Sequence, residues 1–271
     1  MEDSRLAASV VSEPGKKVGG RVVVVTGGAS GLGAAVVRRS VARGDSVAVL
    51  DASAARTRAL AIDLGACVLP VPTDISDPAD TKAAIDLVAD HFGRIDAFVG
   101  CAGILGAERT VSRAGDPASL QAFSSILAVN LIGMFDAVRL VAAVMAHNES
   151  DEGGQRGVVV MTASIAAFEG QVGQVAYSAS KAGIAGMTLP LARDLGIHGI
   201  RVCTVAPGLM DTAIFTDTPS EALDALAAQP IFPCRLGDPV EFAMLVEHVL
   251  DNPYLNGEVL RIDGGLRMSP I

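Results

Sequence analysis

Hydrophobic residues recur along this chain in two alternating patterns. Short runs rich in β-branched residues, typical of buried strands, alternate with longer amphipathic segments, typical of helices. The runs predict strands at residues 22–25, 46–50, 67–71, 97–100, 158–161, 201–205 and 258–262. The amphipathic segments predict helices at residues 34–42, 78–92, 120–147 and 239–250. This alternation indicates βαβ units, so the sequence predicts an α/β fold: a single Rossmann-type doubly wound parallel sheet with helices on both faces.

Length and composition fit one large domain. The chain has 271 residues, 50% of them hydrophobic and 29 of them glycine, and no Pro/Ser-rich or single-charge segment divides it. Residues 1–20 contain acids and lack a continuous apolar stretch, which argues against a secretory signal or a transit peptide. We therefore expect a flexible N-terminal arm at 1–20 and a single domain at 21–271.

Charge and cysteine content restrict the functional classes. A net charge of −9 disfavours general binding to nucleic acid. No uninterrupted apolar run reaches the roughly 18 residues of a membrane helix, so no membrane segment is expected. The cysteines lack C-x-x-C spacing and the histidines form no H-E-x-x-H motif, so no metal site is predicted. Well-separated cysteines without a disulfide pattern favour a reducing, cytoplasmic location.

A glycine-rich turn follows the first predicted strand. Its sequence, T-G-G-A-S-G-L-G, spans residues 26–33 and leads into the helix at 34–42. The glycines let the backbone approach a pyrophosphate, which the N-terminus of the following helix stabilises. The spacing departs from the G-x-G-x-x-G fingerprint, but the strand before it and the helix after it support a dinucleotide site. The candidate contacts are Gly27, Ser30, Gly31, Leu32 and Gly33.

Asp51 ends the second predicted strand, 18 residues after Gly33. A carboxylate at this position suits the ribose hydroxyls of NAD and repels the extra phosphate of NADP. Two other interpretations stay open: Asp51 could only cap the helix that begins near residue 52, and Arg56 could reach the phosphate of NADP. The sequence favours NAD, so residues 21–271 are expected to form an NAD-binding catalytic domain.

Two further strand ends carry candidate cofactor contacts. Asp74 and Ile75 follow the third predicted strand, where an acid can meet the adenine edge. The fourth strand continues into Cys101, Ala102 and Gly103, whose small side chains let the backbone pass close to a cofactor. The thiol of Cys101 is interpreted as a small buried group, because no histidine is adjacent to activate it as a nucleophile.

Tyr177 and Lys181 are the residues on which the predicted chemistry centres. They are four positions apart in a run of helix-compatible small residues, so their side chains share one helix face. A free tyrosine has a pKa of about 10, and a nearby cation lowers that value. Tyr177 is therefore expected to exchange protons near neutral pH. Asn130, an amide within an apolar helix, either faces solvent or is held for a purpose, and Ser164 lies 13 residues before Tyr177.

These motifs together resemble the short-chain dehydrogenase/reductase family, and the match covers nearly the whole chain from about residue 21. The motifs that carry the resemblance are, in order, the glycine turn, Asp51, Asp74, C-A-G at 101–103, Asn130, Ser164, Y-S-A-S-K at 177–181 and P-G-L-M-D-T at 207–212. The 3-hydroxyacyl-CoA dehydrogenase branch of that family is resembled in F-E-G-Q-V-G-Q-V-A-Y-S-A-S-K and N-P-Y-L-N-G-E-V-L-R-I-D-G-G-L-R-M. One departure is G-C-A-G at 100–103 in place of the family's N-N-A-G, so cofactor contacts there should rest on backbone.

The resemblance implies a role for each site residue. Tyr177 is the general acid or base, and Lys181 lowers its pKa and binds the nicotinamide ribose. Ser164 hydrogen-bonds the substrate oxygen, and Asn130 holds a water that relays the proton.

The resemblance also implies further contacts and an assembly. Backbone near Pro207 and Gly208, together with Thr212, would hold the nicotinamide carboxamide. The last strand and helix, and the long helices carrying Asn130 and Tyr177, would build a homotetramer.

Residues 209–232 are expected to form a substrate lid. Their apolar side chains predict a hydrophobic small-molecule substrate, and the resemblance implies an acyl-CoA. The segment holds four acids and no Lys or Arg, so the phosphates of CoA would need Arg109, Arg113 or Arg235. Three alternatives stay open: a 3-oxoacyl-carrier-protein reductase, a hydroxysteroid dehydrogenase, and a cofactor-binding structural or regulatory subunit.

Overall fold

The computed structural model describes residues 20–212 and 219–270. The predicted arm lies outside these residues except for Gly20, and so does the middle of the predicted lid. The described residues form one seven-stranded sheet in which every neighbouring pair of strands is parallel. The strands are β1 (Val22–Thr26), β2 (Ser46–Asp51), β3 (Val68–Pro72), β4 (Ala97–Gly100), β5 (Gly157–Thr162), β6 (Ile200–Pro207) and β7 (Val259–Ile262).

The strand order is β3-β2-β1-β4-β5-β6-β7. The chain adds strands toward one edge of the sheet up to β3 and toward the other edge from β4 onward, as in a doubly wound sheet. Helices cover both faces, and the predicted fold class is confirmed. The helices are α1 (Gly31–Ala42), α2 (Ala54–Leu64), α3 (Pro78–Phe92), α4 (Leu120–Leu127), α5 (Met134–Met145), α6 (Val175–Gly196), α7 (Ser220–Ala227) and α8 (Pro239–Asp251).

The sheet separates two hydrophobic cores, which explains why its strands are apolar without alternation. Val24 of β1 contributes to one core, with side chains from α3, α5 and α6. Its neighbours Val23 and Val25 contribute to the other core, with side chains from α1 and α8. Because both faces are covered, each position along the strand must be apolar.

The predicted helix at 120–147 is not continuous. A π-helical segment, Ala128–Gly133, separates α4 from α5. Such segments add a residue to a helical turn and occur often at functional sites. An 18-residue window within Leu120–Met145 has a mean hydropathy of 1.8, which would suit a membrane helix, but half of that window is buried inside the protein. Packing of this stretch against α3 and α6 accounts for its apolar composition.

Arg201 ties the end of α8 to the sheet. This side chain is 7% exposed and donates hydrogen bonds to the backbone oxygens of Val249, Leu250 and Leu255 and to the side chain of Gln155. Carbonyl groups at the end of a helix have no partner within it, and a guanidinium satisfies several of them at once.

We expect Arg201→Met to lower the free energy of unfolding by about 3 kcal/mol, because it leaves buried carbonyl oxygens without donors. Urea unfolding followed by circular dichroism measures the change. Arg193→Met on the exposed side of α6 is the matched control and should change stability by less than about 0.5 kcal/mol. Equal effects of the two substitutions would contradict the role given to Arg201.

Candidate active site

A cleft of about 760 Å³ opens at the carboxyl ends of the parallel strands. Ligand sites in open α/β sheets are expected at this edge. The cleft contains every predicted site residue except Asn130. They are Gly27, Ser30, Gly31, Leu32, Gly33, Asp51, Asp74, Ile75, Cys101, Ala102, Gly103, Ser164, Tyr177, Lys181, Pro207, Gly208 and Thr212.

The glycine turn between β1 and α1 has the geometry of a phosphate cradle. Gly27 has φ 62° and Gly31 has φ 50°, a left-handed conformation that other residues rarely adopt. A Cβ atom on Gly33 would lie 2.2 Å from the carbonyl oxygen of Gly27, so only glycine fits there. α1 begins at this turn, Ser30 makes no side-chain cap, and the first turn holds no acid. The N-terminus of α1 is thus available to a pyrophosphate.

Asp51 is 7% exposed at the end of β2. Its carboxylate accepts hydrogen bonds from the glycine turn and from the turn that precedes α2. One oxygen accepts a hydrogen bond from Ala29 N at 3.1 Å, and the other accepts one from Ser53 N at 2.9 Å. Arg56 lies 3.6 Å from the second oxygen. The alternative that Asp51 caps a helix is wrong, because α2 begins at Ala54 and its N-cap is Ser53.

Asp74 and Ile75 border the cleft beyond β3. Asp74 accepts hydrogen bonds from the hydroxyl and the backbone N–H of Ser76, which hold the pKa of its carboxyl below the ordinary value. The carboxylate therefore stays charged, and it is exposed at the rim where an adenine could meet it. Ile75 is 6% exposed and supplies an apolar surface beside it.

The segment from Cys101 to Gly103 borders the cleft and is held to β1 by backbone contacts, while the expectation that it contacts a cofactor through backbone stays a prediction. Cys101 N donates to the backbone oxygen of Thr26 at 3.0 Å, and Ala102 N lies 3.4 Å from the Thr26 hydroxyl. Burial raises the pKa of the Cys101 thiol to about 11. A thiol with so high a pKa is a poor nucleophile, which supports the interpretation of Cys101 as a packing residue.

Tyr177 and Ser164 are hydrogen-bonded neighbours at the inner end of the cleft. Burial raises the pKa of Tyr177 above its ordinary value, and the hydrogen bond with Ser164 partly offsets that rise. The prediction that Lys181 lowers this pKa is wrong for the cofactor-free protein. Spacing along the helix placed the two side chains together, but removal of water from the phenol has the larger effect.

Lys181 is 4% exposed, and its ammonium nitrogen is 5.8 Å from the centre of the Tyr177 ring. The ammonium donates a hydrogen bond of 2.8 Å to the backbone oxygen of Thr162, the last residue of β5. Burial lowers the pKa of Lys181 to about 8. An ammonium group has three donors, so two remain for hydroxyl groups of a ligand.

Asn130 lies behind the cleft wall and is fully buried. Its amide oxygen accepts a hydrogen bond from Ile104 N at 2.8 Å, and its amide nitrogen donates to Ile104 O at 2.9 Å and to the Ser180 hydroxyl at 3.2 Å. A Cβ on Gly103 would lie 3.2 Å from that amide oxygen and 3.5 Å from the Lys181 nitrogen. The interpretation that Asn130 faces solvent is therefore wrong. Its role with a relay water stays a prediction.

The residues after β6 close the other side of the cleft. Pro207 ends β6, and Gly208 N donates to the backbone oxygen of Ile262 at 2.9 Å. Thr212 lies across the cleft from the glycine turn, with its side chain 3.5 Å from the position a Cβ would take on Gly31. In the predicted lid, residues 209–212 and 219–232 are described, and Leu209, Met210 and Leu226 border the cleft.

Several cleft residues were missed at the sequence level. Gln171, Gln174 and Met268 border the cleft, as do Ile104 and Leu105. Gln171 and Gln174 lie between Ser164 and Tyr177 in the sequence, so their proximity to the site could have been inferred. Met268 is far from the catalytic segment in the sequence, and no motif indicated its position in the cleft. Among residues 20–212 and 219–270, no group of three His, Cys, Asp or Glu side chains could hold a metal ion.

This chain is similar to known proteins over most of its length. The family model described as short chain dehydrogenase matches residues 21–222. The human protein named 3-hydroxyacyl-CoA dehydrogenase type-2 is 51% identical over 256 residues, 94% of this chain and 98% of that protein. The Drosophila melanogaster protein of the same name is 48% identical over 250 residues, 92% of this chain and 98% of that protein. A crystal structure of 3-hydroxyacyl-CoA dehydrogenase type-2 from Mycobacterium avium is 45% identical, has a TM-score of 0.90, and matches 94% of this chain and 99% of that chain.

The buried ammonium of Lys181 should make the stability of the cofactor-free protein depend on pH. Because its folded pKa is lowered from 10.5 to about 8, the unfolded chain binds more protons above about pH 8. The free energy of unfolding should therefore rise by about 1 kcal/mol from pH 8 to pH 9. Above pH 9 the raised pKa of Cys101 acts in the opposite direction, since the folded thiol keeps its proton.

Urea unfolding at about pH 7, 8 and 9 measures this rise. Lys181→Met keeps the length of the side chain without its charge, so it should be more stable than wild type at neutral pH and lack the rise. The same pH dependence in both proteins would contradict the assignment.

Proposed function

The chain belongs to the short-chain dehydrogenase family, and we propose that it moves hydride reversibly between NAD and the hydroxyl-bearing carbon of a 3-hydroxyacyl-CoA. As a dehydrogenase of this family with a Rossmann-like sheet, it is an oxidoreductase that uses a nicotinamide cofactor. The proposal concerns which nicotinamide cofactor and which substrate. The observation that carries it is that Ser164, Tyr177 and Lys181 meet in the same cleft as the glycine turn.

Two of these side chains, Tyr177 and Ser164, act on the reacting oxygen. The nicotinamide, when bound, accepts the hydride from the alcohol carbon or returns it to the carbonyl carbon. Tyr177 as the phenolate takes the alcohol proton during oxidation, and as the phenol it returns the proton to the carbonyl oxygen during reduction. Ser164 donates a hydrogen bond to that same oxygen as negative charge develops on it. With its pKa raised by burial, Tyr177 is protonated at neutral pH and ready to serve as the acid of the reduction.

The choice of NAD rests on the charges at the end of β2. The buried carboxylate of Asp51 can accept hydrogen bonds from two ribose hydroxyls of NAD. It repels the phosphate that NADP carries on that ribose. Arg56, the basic group that could have favoured NADP, lies 3.6 Å from that carboxylate. The pairing with Asp51 offsets its charge, which supports NAD.

The choice of an acyl-CoA rests on the identity to the named relatives and on the guanidinium groups around the cleft. Arg235 binds both carboxylate oxygens of Glu241, at 2.9 and 2.6 Å, so it is already neutralised. In the part of the chain that the structure describes, Arg109 and Arg113 have no side-chain partner. We propose these two groups as contacts for the phosphates of CoA.

Arg109 and Arg113 belong to a hairpin that is attached to the cleft wall. Val111 and Pro117 form a bridge across this hairpin. Glu108 N donates to the backbone oxygen of Gly173 at 2.8 Å, between the cleft residues Gln171 and Gln174. The carboxylate of Glu108 accepts a hydrogen bond from Ser119 N at 3.1 Å and is not ion-paired with Arg109 among the described residues.

We further propose a homotetramer in a reducing, cytoplasmic setting. Ile132, Phe135 and Leu189 expose large apolar side chains on helices that bear the site, which supports burial between subunits. All four cysteines are free thiols. Light scattering in solution would test the assembly, and a monomeric mass would contradict it.

The purified protein is expected to oxidise NADH rapidly with acetoacetyl-CoA, and much more slowly with NADPH. Tyr177→Phe should remove turnover, because it keeps the ring and deletes the proton donor, while NADH binding measured by fluorescence is retained. Absorbance at the nicotinamide band follows the reaction. A fully active Phe variant would overturn the mechanism.

Parallel assays with a 3-oxoacyl carrier protein and a 3-oxo-steroid distinguish the other enzymatic functions. Faster turnover of either one than of the CoA thioester would replace the proposed substrate.

The double substitution Arg109→Ala and Arg113→Ala should raise KM for acetoacetyl-CoA about tenfold at low salt, since each exposed charge pair contributes modestly. KM for the acetoacetyl thioester of N-acetylcysteamine, which has no phosphate, should not change. Arg193→Ala on α6 is the matched control and should affect neither substrate. Equal losses with both thioesters would show that the two arginines do not bind phosphate.

A further inference from the structure

The chain ends in a segment without regular secondary structure that borders the cleft. We call residues 266–270, which follow β7 and a turn at 263–265, the C-terminal strap. Leu266 is 3% exposed and anchors the strap, and Met268 lines the cleft together with Gln171 and Gln174. The strap therefore forms part of the wall around the reacting group, although it is about 90 residues away from Tyr177 in the chain.

An ion pair holds the strap against the catalytic segment. Arg261 of β7 donates to both carboxylate oxygens of Glu169, at 2.8 and 3.1 Å. The same guanidinium donates to the backbone oxygen of Leu266 at 3.0 Å, and Met268 N lies 3.4 Å from the Glu169 carboxylate. Glu169 and Arg261 are only 22% and 23% exposed, so this bidentate pair is partly shielded from solvent.

Two further contacts continue the attachment to the end of the strap. Val172 N donates a hydrogen bond to the backbone oxygen of Pro270 at 2.9 Å. The side-chain amide nitrogen of Gln171 donates one to the backbone oxygen of Ser269 at 3.2 Å. Arg261 also lies over the ring of Phe168, 5.5 Å from its centre. The strap is thus hydrogen-bonded to the chain between residues 168 and 172.

The segment to which the strap is bound lies between Ser164 and Tyr177. Glu169 N donates to the oxygen of Ile165, so it lies one turn after Ser164. At Gly170, a Cβ would lie 2.1 Å from the hydroxyl of Ser178, the residue after Tyr177. A shift of Glu169 would reach Ser178 through Gly170, because the backbone of Gly170 lies directly against that hydroxyl.

The turn that precedes the strap contacts the lid. Backbone N–H groups of Ile231 and Phe232 both donate to the oxygen of Gly264, at 3.0 and 3.1 Å. The segment from 263 to 270 therefore contacts the lid on one side and the catalytic segment on the other. Its position sets the distance between two walls of the cleft.

We propose that Met268 determines which substrates fit, by contacting the apolar chain of the substrate, and that the Glu169–Arg261 pair is the positioning element that holds Met268 in place. This proposal rests on the proposed function only for the identity of the substrate. An unbranched thioether side chain adapts to irregular apolar shapes, which suits a wall that meets acyl chains.

Met268→Ala should enlarge the cleft at this wall. The ratio of kcat/KM for 3-oxodecanoyl-CoA to that for acetoacetyl-CoA should rise about tenfold, because space equivalent to several methylenes is gained. Met244→Ala, on the exposed side of α8 and outside the cleft, is the matched control and should leave the ratio unchanged. KM for NADH should stay the same in both variants.

Glu169→Gln should raise KM for both thioesters by about tenfold, with smaller effects on kcat, since it removes a charge-assisted contact that holds the wall. Glu169→Asp keeps the negative charge beside Arg261 and should lose less than Glu169→Gln. A merely structural role predicts lower stability and proportional losses of kcat with every substrate, with Glu169→Asp no better than Glu169→Gln.

An unchanged chain-length ratio in Met268→Ala, with the wild type active on both thioesters, would overturn the role of the strap and leave the proposed function standing. Wild type that turns over neither thioester would overturn the proposed function instead. The strap is then tested by the binding of short and long aliphatic ketones, followed through the fluorescence of bound NADH. Equal selectivity of wild type and Met268→Ala in that titration overturns the inference as well.

Discussion

A buried cation is the constraint on which the reactive end of this protein depends. The ammonium of Lys181 is almost completely removed from water, and its one hydrogen bond to a described residue is with the carbonyl oxygen of Thr162. Burying a charge with so few partners costs free energy, which is why the pKa of Lys181 is lowered. A ligand with hydroxyl groups would supply the missing acceptors, so the site is organised to gain stability when a ribose binds.

The arrangement around Lys181 follows from the parallel sheet. The lysine reaches the end of β5, and the glycine turn and Asp51 are at the ends of β1 and β2. Their positions could be predicted from sequence because apolar runs buried on both faces mark the strands within a residue or two. Parallel strands then bring all of their carboxyl ends to one edge. Ser164 follows β5 and was located in the same way, whereas Tyr177 was located by its spacing to Lys181 and by the resemblance to the family.

Other features could not be predicted, for physical reasons. The π-helical segment at 128–133 differs from an α-helix by one residue in a turn, which a pattern six residues long does not resolve. The raised pKa of Tyr177 depends on burial, whereas spacing reports only which groups are neighbours. The contact between Glu169 and Arg261 joins residues 92 positions apart, and no periodicity relates them. These features are thus set by tertiary packing, which the sequence pattern does not record.

The position of the C-terminal strap affects how the protein should be handled. Pro270 is hydrogen-bonded to Val172 beside the cleft, whereas Gly20 precedes β1 at the opposite edge of the sheet. An affinity tag or a fused reporter domain at the carboxyl end would be attached next to the substrate entrance. A domain fused directly before Gly20 would start about one strand length from that edge and would leave the entrance clear.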